Sequence, residues 1–189
     1  MSSETKRPEI TVLTDPIPCG IESFSEGVRQ IARSVRDRIH PNSGNFNRLP
    51  YRGHPAVTRS LIKGLKNINA SFNYNPRHPN QLANTVVVLA GIRTLRQVIR
   101  LKRQGLLTKL YAGPNIVVFS SEYDSILASP EIDCVITPCD WVIDLYVEDN
   151  PRLQGRCFAW PAGVDTDYWK PSPENNRDRI LIFEKQSKE

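Results

Sequence analysis

The sequence predicts an α/β fold, a parallel β-sheet with helices packed on both faces. Three observations predict it. Short apolar, β-branched runs alternate with amphipathic helical stretches along most of the chain, the pattern of repeated strand–helix–strand units. Thr85-Val-Val-Val-Leu-Ala90 is apolar almost throughout, as a strand covered on both faces should be. The chain has 189 residues, 39% hydrophobic and 24% charged. That length buries about 70% of the unfolded surface, enough for one such domain without disulfide or metal support.

A polar tail, residues 1–8, precedes the first strand, Glu9–Thr14, which Asp15-Pro-Ile-Pro-Cys-Gly20 ends with turn chemistry. Phe24, Val28, Ile31, Val35 and Ile39 recur at helical spacing, so a first helix is expected there. Ser23 and Glu26 fit a capping box at its start, and Arg33, Arg36 and Arg38 suit its negative end. His40–Gly53, rich in Pro, Asn and Gly, reads as a long loop. A second helix follows from about Pro55, with Val57, Leu61, Leu65 and Ile68 inward and Arg59, Lys63 and Lys66 on another face.

Ala70–Tyr74 is a weak strand and Asn75–Asn80 a turn-rich loop. After the strand Thr85–Ala90, Gly91 opens a third helix with Ile92, Leu95, Ile99 and Leu106 inward. Arg93, Arg96, Arg100 and Arg103 form its basic stripe. Lys109–Phe119 holds one or two short strands around the turn Gly113-Pro114-Asn115. Glu122–Ala128 reads as a short helix and Asp133–Thr137 as a strand. Pro138 starts a helix with Trp141 in its first turn, and Arg156–Trp160 is the last strand of the domain. The domain thus covers residues 9–164, and 165–179 is a polar linker or crossover. Residues 180–189 contain Ile180–Phe183, a strand that either opens a further domain or joins the existing sheet edge.

Charge and composition narrow the function classes. The net charge of +5 conceals a split: residues 1–110 carry 18 Lys/Arg against 6 Asp/Glu, and residues 111–189 carry 7 against 14. Between Asp37 and Glu122 there are 13 cations and not one carboxylate in 84 residues. Solvated faces usually mix signs, so this imbalance points to an anionic partner. No apolar run is long enough to span a membrane, and the N-terminus has no secretory h-region, so a cytoplasmic protein is expected. Cys19, Cys134, Cys139 and Cys157 show no zinc-type spacing and read as reduced, mostly buried thiols. No carboxylate cluster suits a divalent metal at the strand ends, so no metal is expected.

Three segments carry a resemblance. Trp160-Pro-Ala-Gly-Val-Asp-Thr-Asp-Tyr-Trp-Lys-Pro171 resembles the stretch where group 1 glycosyltransferases of the GT-B type cross between their two domains. Lys109-Leu-Tyr-Ala-Gly-Pro-Asn115 and Thr137-Pro-Cys-Asp-Trp141 are similar to segments of the same family, with Cys139 where Ser is usual. The order of strands and helices agrees along residues 9–183. The resemblance implies a Rossmann-like domain that forms the acceptor-side, N-terminal half of the enzyme. The other half binds a nucleotide-sugar donor and carries the family's Glu-x7-Glu signature, which does not occur here. By that reading the complete enzyme uses a nucleotide sugar, this chain alone binds no cofactor, and it is inactive by itself. The family's paired glycines after the first strand are replaced by Gly20 alone.

In open parallel sheets, ligands bind outside the carboxyl ends of the strands. That rule nominates residues 15–22, 75–80, 90–93, 120–122, 138–141 and 160–165. Gly20, Ile21 and Glu22 are candidates for a loop at the donor phosphate or cleft, although Glu22 repels anions. On the acceptor side the candidates are Arg77, His78, Gly91, Arg93, Ser120 and Trp141. His78 is the candidate catalytic group, His54 a weaker alternative; Trp141 reads either as a cleft wall or as core. Gly163, Val164 and Asp165 belong to the crossover. Arg59, Lys63, Lys66, Arg96, Arg100 and Arg103 are candidates for an anionic surface, peripheral on the inner face of a membrane and meeting a lipid-linked or phosphorylated acceptor. A second reading is a stand-alone, non-enzymatic domain that binds an anionic membrane, a phosphorylated ligand or a partner subunit. Nucleic-acid binding ranks third, because no recognition motif accompanies the basic residues.

Overall fold

The computed structural model describes residues 8–18, 53–163 and 166. Six strands form one parallel sheet: β1 (Ile10–Leu13), β2 (Phe72–Tyr74), β3 (Thr85–Val88), β4 (Lys109–Ala112), β5 (Cys134–Thr137) and β6 (Cys157–Ala159). Their spatial order is β2-β1-β3-β4-β5-β6. Among the described residues, three helices of ten residues or more pack around them: α1 (Gly53–Asn67), α2 (Ile92–Arg103) and α3 (Asp140–Asp149). This is the expected α/β, Rossmann-like architecture. The first predicted helix, the linker and residues 180–189 lie outside the described residues.

Strand alternation divides the core in two. Leu13, Val86, Val88, Leu110, Ala112 and Val135 point to one face, where Leu95, Val98 and Ile99 of α2 cover them. Val12, Leu89 and the half-buried Val87, Phe72 and Tyr74 point to the other, against Leu61 and Leu65 of α1. Thr11, wholly buried, is satisfied because the Ala83 amide donates to its hydroxyl at 2.8 Å. The period-2 and period-3.6 patterns therefore meet on the same residues, which is why the sequence signal was legible.

This division corrects one expectation. Arg59, Lys63 and Lys66 ride on α1, whereas Arg96, Arg100 and Arg103 ride on α2. The two helices cover opposite faces of the sheet. One flat anionic surface cannot engage both stripes at once.

Helix α2 ends where Gly105 takes φ 77°. The Gly105 amide bonds the Lys102 carbonyl at 2.9 Å and the Leu106 amide bonds the Leu101 carbonyl at 3.1 Å, a Schellman cap. Leu106, expected on the helix, instead follows this cap and packs on the core from beyond it. Only one strand, not two, occupies 109–119. After β4 the chain turns at Gly113, φ 112°, with a cis peptide to Pro114. The expected helix over Glu122–Ala128 is present only as two short turns, Glu122–Ser125 and the 3-10 turn Ile126–Ala128. Tyr123, Asp124 and Ser125 all take left-handed φ, between 53° and 62°, so no continuous right-handed helix runs through the stretch.

Candidate functional site

The strand order has a switch point between β1 and β3, the inner strands at which the chain first turns to β2 and later away to β4. The loop after β1 packs back on α2, the helix that follows β3, through Ile17. The carboxyl edge at such a switch point is the usual ligand site of an open parallel sheet.

A polar cluster lies on one side of this switch point. Asn75, just after β2, holds a left-handed φ of 45°, which aims its amide back at β1. Its Oδ1 accepts the Thr14 amide at 2.9 Å and the Asp15 amide at 3.3 Å. Its Nδ2 donates to Thr14 Oγ1 at 2.9 Å and to Asp15 Oδ2 at 3.0 Å. The Thr14 hydroxyl also lies 2.9 Å from the Tyr74 hydroxyl and donates to Asp15 Oδ2 at 3.2 Å. Burial raises the Tyr74 phenol above its ordinary range, the Thr14 hydrogen bond opposes the rise, and the nearby Asp15 charge adds to it. The result is an exposed carboxylate whose Oδ2 is fixed by two donors and whose Oδ1 has no hydrogen-bond partner among the described residues.

Gly91 forms the other side. It precedes the first turn of α2 with φ 88°, and no side chain caps that turn. A Cβ there would lie 3.1 Å from Thr94 Oγ1 and 3.7 Å from the Thr14 carbonyl, so only glycine keeps the approach open. Gln97 of α2 braces the β1 loop, accepting the Ile17 amide at 2.8 Å and donating to the Ile17 carbonyl at 2.7 Å.

Gly91 is thus the one acceptor-side candidate that borders this polar cluster directly. Arg77 and His78 are exposed just beyond Asn75, where the Gln81 side chain accepts both of their amides. Arg93 is exposed in the first turn of α2 and His54 in that of α1, where the His54 carbonyl accepts from Asn115 at 3.4 Å. Ser120 is not a cleft wall. It is fully buried, its hydroxyl 2.7 Å from the Tyr146 carbonyl and 2.8 Å from Asp149 Oδ2. Trp141 is not core, being 64% exposed on the first turn of α3. Gly163 is exposed after β6, and Gly20, Ile21, Glu22, Val164 and Asp165 lie outside the described residues. Among the described residues no three His, Cys, Asp or Glu side chains are grouped to hold a metal ion. Also among them, no helix is long and apolar enough to cross a membrane.

Thr14, Asp15, Tyr74 and Asn75 were missed as a group. The carboxyl-end rule nominated the segments, but about 60 positions separate the partners along the chain. The Asn75-Pro76 step, a turn signal, was the only local hint.

Elsewhere, carboxylates clamp the segment that follows β4. Asp149 accepts the Ser121 amide at 2.7 Å and the Ser121 hydroxyl at 2.8 Å, and these bonds with Ser120 depress its pKa. Glu131 takes Arg103 in a two-pronged pair, 2.6 and 3.2 Å, and also accepts the Ser129 hydroxyl. Arg103, then Ser129, bring its pKa down to about 2. For Asp133, burial pushes upward, but the Lys102 ammonium and the Leu110 amide outweigh it and the pKa falls.

A depressed folded-state pKa contributes stability above the unfolded value and loses it as pH falls through the folded value. Amide protection over residues 126–132 should therefore be constant from neutral pH to about 4.5 and decline toward pH 2. Hydrogen exchange measures this. Glu131→Gln should flatten part of the decline; a profile unchanged by that substitution would show that Glu131 does not hold the segment.

No protein-family model, no curated protein and no solved structure matches the chain.

Proposed function

We propose that this chain is the acceptor-side domain of a GT-B type glycosyltransferase, which presents an acceptor hydroxyl to the sugar of a nucleotide-sugar donor. One observation carries the reading. The three segments that resemble the family follow β4, β5 and β6, which are neighbours in the sheet. Gly113-Pro114-Asn115, Pro138–Trp141 and Trp160–Gly163 therefore emerge along one edge, the carboxyl edge that also bears the Asp15 cluster. Parallel pairing fixes this: the Trp160 amide continues the ladder onto the Thr137 carbonyl at 2.8 Å, and the Asn115 amide bonds the Leu89 carbonyl at 2.9 Å.

In this reading Asp15 Oδ1 accepts a hydrogen bond from the acceptor hydroxyl, oriented by Asn75 and Thr14. Charge on the departing nucleoside diphosphate is stabilised by cationic groups and helix amides across the interdomain cleft. The donor-binding half belongs to the complete enzyme. No metal role is assigned.

The test uses this chain together with the donor-binding half that the reading requires, whether on the same polypeptide or on a partner subunit. This assembly should bind one nucleotide sugar of a panel in the micromolar range by calorimetry. Asp15→Asn should leave that affinity unchanged while weakening productive use of the acceptor by about tenfold or more, a loss on the scale of one charge-assisted hydrogen bond. Folded protein that binds no nucleotide sugar would remove the glycosyltransferase reading. Donor binding with an unaffected Asp15→Asn turnover would keep the family reading and dismiss Asp15.

A further inference from the structure

Arginines gather at a second place. A groove of about 530 Å³ runs along the outer flank of α2, closed on its far side by residues 123–130 and by Arg152. Its apolar lining comes from Ile99, Ile126 and Ala128, and four guanidiniums stand around it: Arg96, Arg100, Arg103 and Arg152. The spacing of Arg96, Arg100 and Arg103 is helical, so they line one side over about 10 Å.

Their charges are unequally balanced. Arg103 is neutralised by Glu131 through two bonds. Arg96 lies 5.7 Å from the centre of the Tyr123 ring and 4.0 Å from an Asp124 oxygen that is fully exposed, a pair too solvated to cancel much charge. Arg100 bonds only the Arg96 carbonyl, at 3.4 Å. Neither Arg100 nor Arg152 has an acidic partner among the described residues. The far wall is costly to build, since three consecutive non-glycine residues, Tyr123, Asp124 and Ser125, take left-handed φ. That conformation brings the Tyr123 ring to Arg96 and places Ser125 on the groove.

We propose that this groove binds a phosphate-bearing ligand, with a phosphate monoester or diphosphate between Arg100 and Arg152 and the rest of the molecule over the apolar floor. Two uncompensated guanidiniums on different elements match a dianion, and planar fork donors suit phosphate oxygens. The groove accommodates more than a bare phosphate ion. Its lining shares no residue with the Asp15 cluster, and the proposal does not rest on the glycosyltransferase reading. The phosphate can arrive on a soluble metabolite or as a lipid headgroup, and the two sources are separable.

The experiment titrates isotopically labelled protein with inorganic pyrophosphate and follows backbone amides. Saturable shifts are expected at Ser125, Ser129 and Arg152 below about 1 mM. Arg100→Gln and Arg152→Gln should each weaken binding about tenfold, and Arg100→Lys should retain part of it. Lys109→Gln, the loss of one exposed positive charge at the start of β4 and outside the groove, should leave binding within about twofold. No saturable shift at the groove by about 10 mM, shifts confined to Thr14 and Gly91, or equal weakening by Lys109→Gln would each overturn the proposal. Co-sedimentation with phosphatidylcholine vesicles, plain or with roughly one-fifth phosphatidic acid, identifies the source. Vesicle binding that requires Arg100 and Arg152 supports a lipid headgroup, and groove shifts without vesicle binding support a soluble phosphate.

Discussion

Gly113→Ala is expected to abolish or nearly abolish folding. Gly113 holds φ 112° where β4 turns, and a Cβ would sit 2.0 Å from the Ile136 carbonyl oxygen and 3.0 Å from its carbon. Both obstructing atoms are backbone of β5, the strand paired to β4, so no side chain can swing aside. Relief requires parting two central strands. The cost should exceed about 4 kcal/mol, a large share of the roughly 5–15 kcal/mol that stabilises a typical domain. Gly155→Ala is the control. Gly155 also has positive φ, 72°, but a methyl group added there would meet nothing within 4 Å. It should lose only about 1–2 kcal/mol, the left-handed penalty alone. Urea denaturation of soluble protein compares the two. A Gly113→Ala midpoint equal to that of Gly155→Ala would show that the β4 turn does not press on β5.

Arg156→Ala should be the next most damaging change. Arg156 precedes β6, half-buried, and its guanidinium donates to three backbone carbonyls: Ala128 at 3.0 Å, Ser129 at 2.7 Å and Ile132 at 2.5 Å. Ala128 ends the 3-10 turn Ile126–Ala128, and Ser129 and Ile132 lie between that turn and β5, outside any strand ladder; besides Arg156, the Ser129 carbonyl accepts the Ile132 amide at 3.1 Å. Truncation removes a charge-assisted donor from all three, for an expected loss of about 2–4 kcal/mol. Arg156→Lys keeps the charge but not the planar fork, so it should recover less than half. The denaturation midpoint and amide exchange at Ile126 and Leu127 report the effect. Wild-type protection in Arg156→Ala would mean that packing of Leu127 and Ile132 alone holds the stretch.

The two residues differ in how they were read from the sequence. Gly113 stood out as a turn glycine, because Gly-Pro-Asn is strong turn chemistry, but its contact with Ile136 was invisible. Arg156 was read only as the first residue of a strand. Its partners lie 24–28 residues away, at the end of the expected helix and in the connection after it, and no local pattern announces such a bond. The helix expected over 122–128 is interrupted for a related reason, and only two short turns remain of it. Glu122 to Ala128 has acceptable helical composition, but Asp149, Glu131 and Arg156 bind its backbone and flanks from elsewhere, and tertiary bonds override weak propensity. Trp141 shows the converse error: size and apolarity favour burial, yet α3 turns it outward at the carboxyl edge.

The sequence by itself determined the strands, their parallel class, the apolar stripes of α1 and α2, and the edge of the sheet where a ligand should bind. These follow from short periods and turn residues, which are local and repeat along the chain. The tertiary structure decided which side chains share a place. Strand order brought Asn75 beside Thr14 and Asp15, because β2 and β1 pair across about 60 residues of chain. It also put the two basic stripes on opposite faces of the sheet and gave the arginines of α2 a groove, completed by Arg152, that the spacing alone could not reveal. Contacts between distant segments depend on strand order and on the face each helix covers, and neither is written in a local pattern.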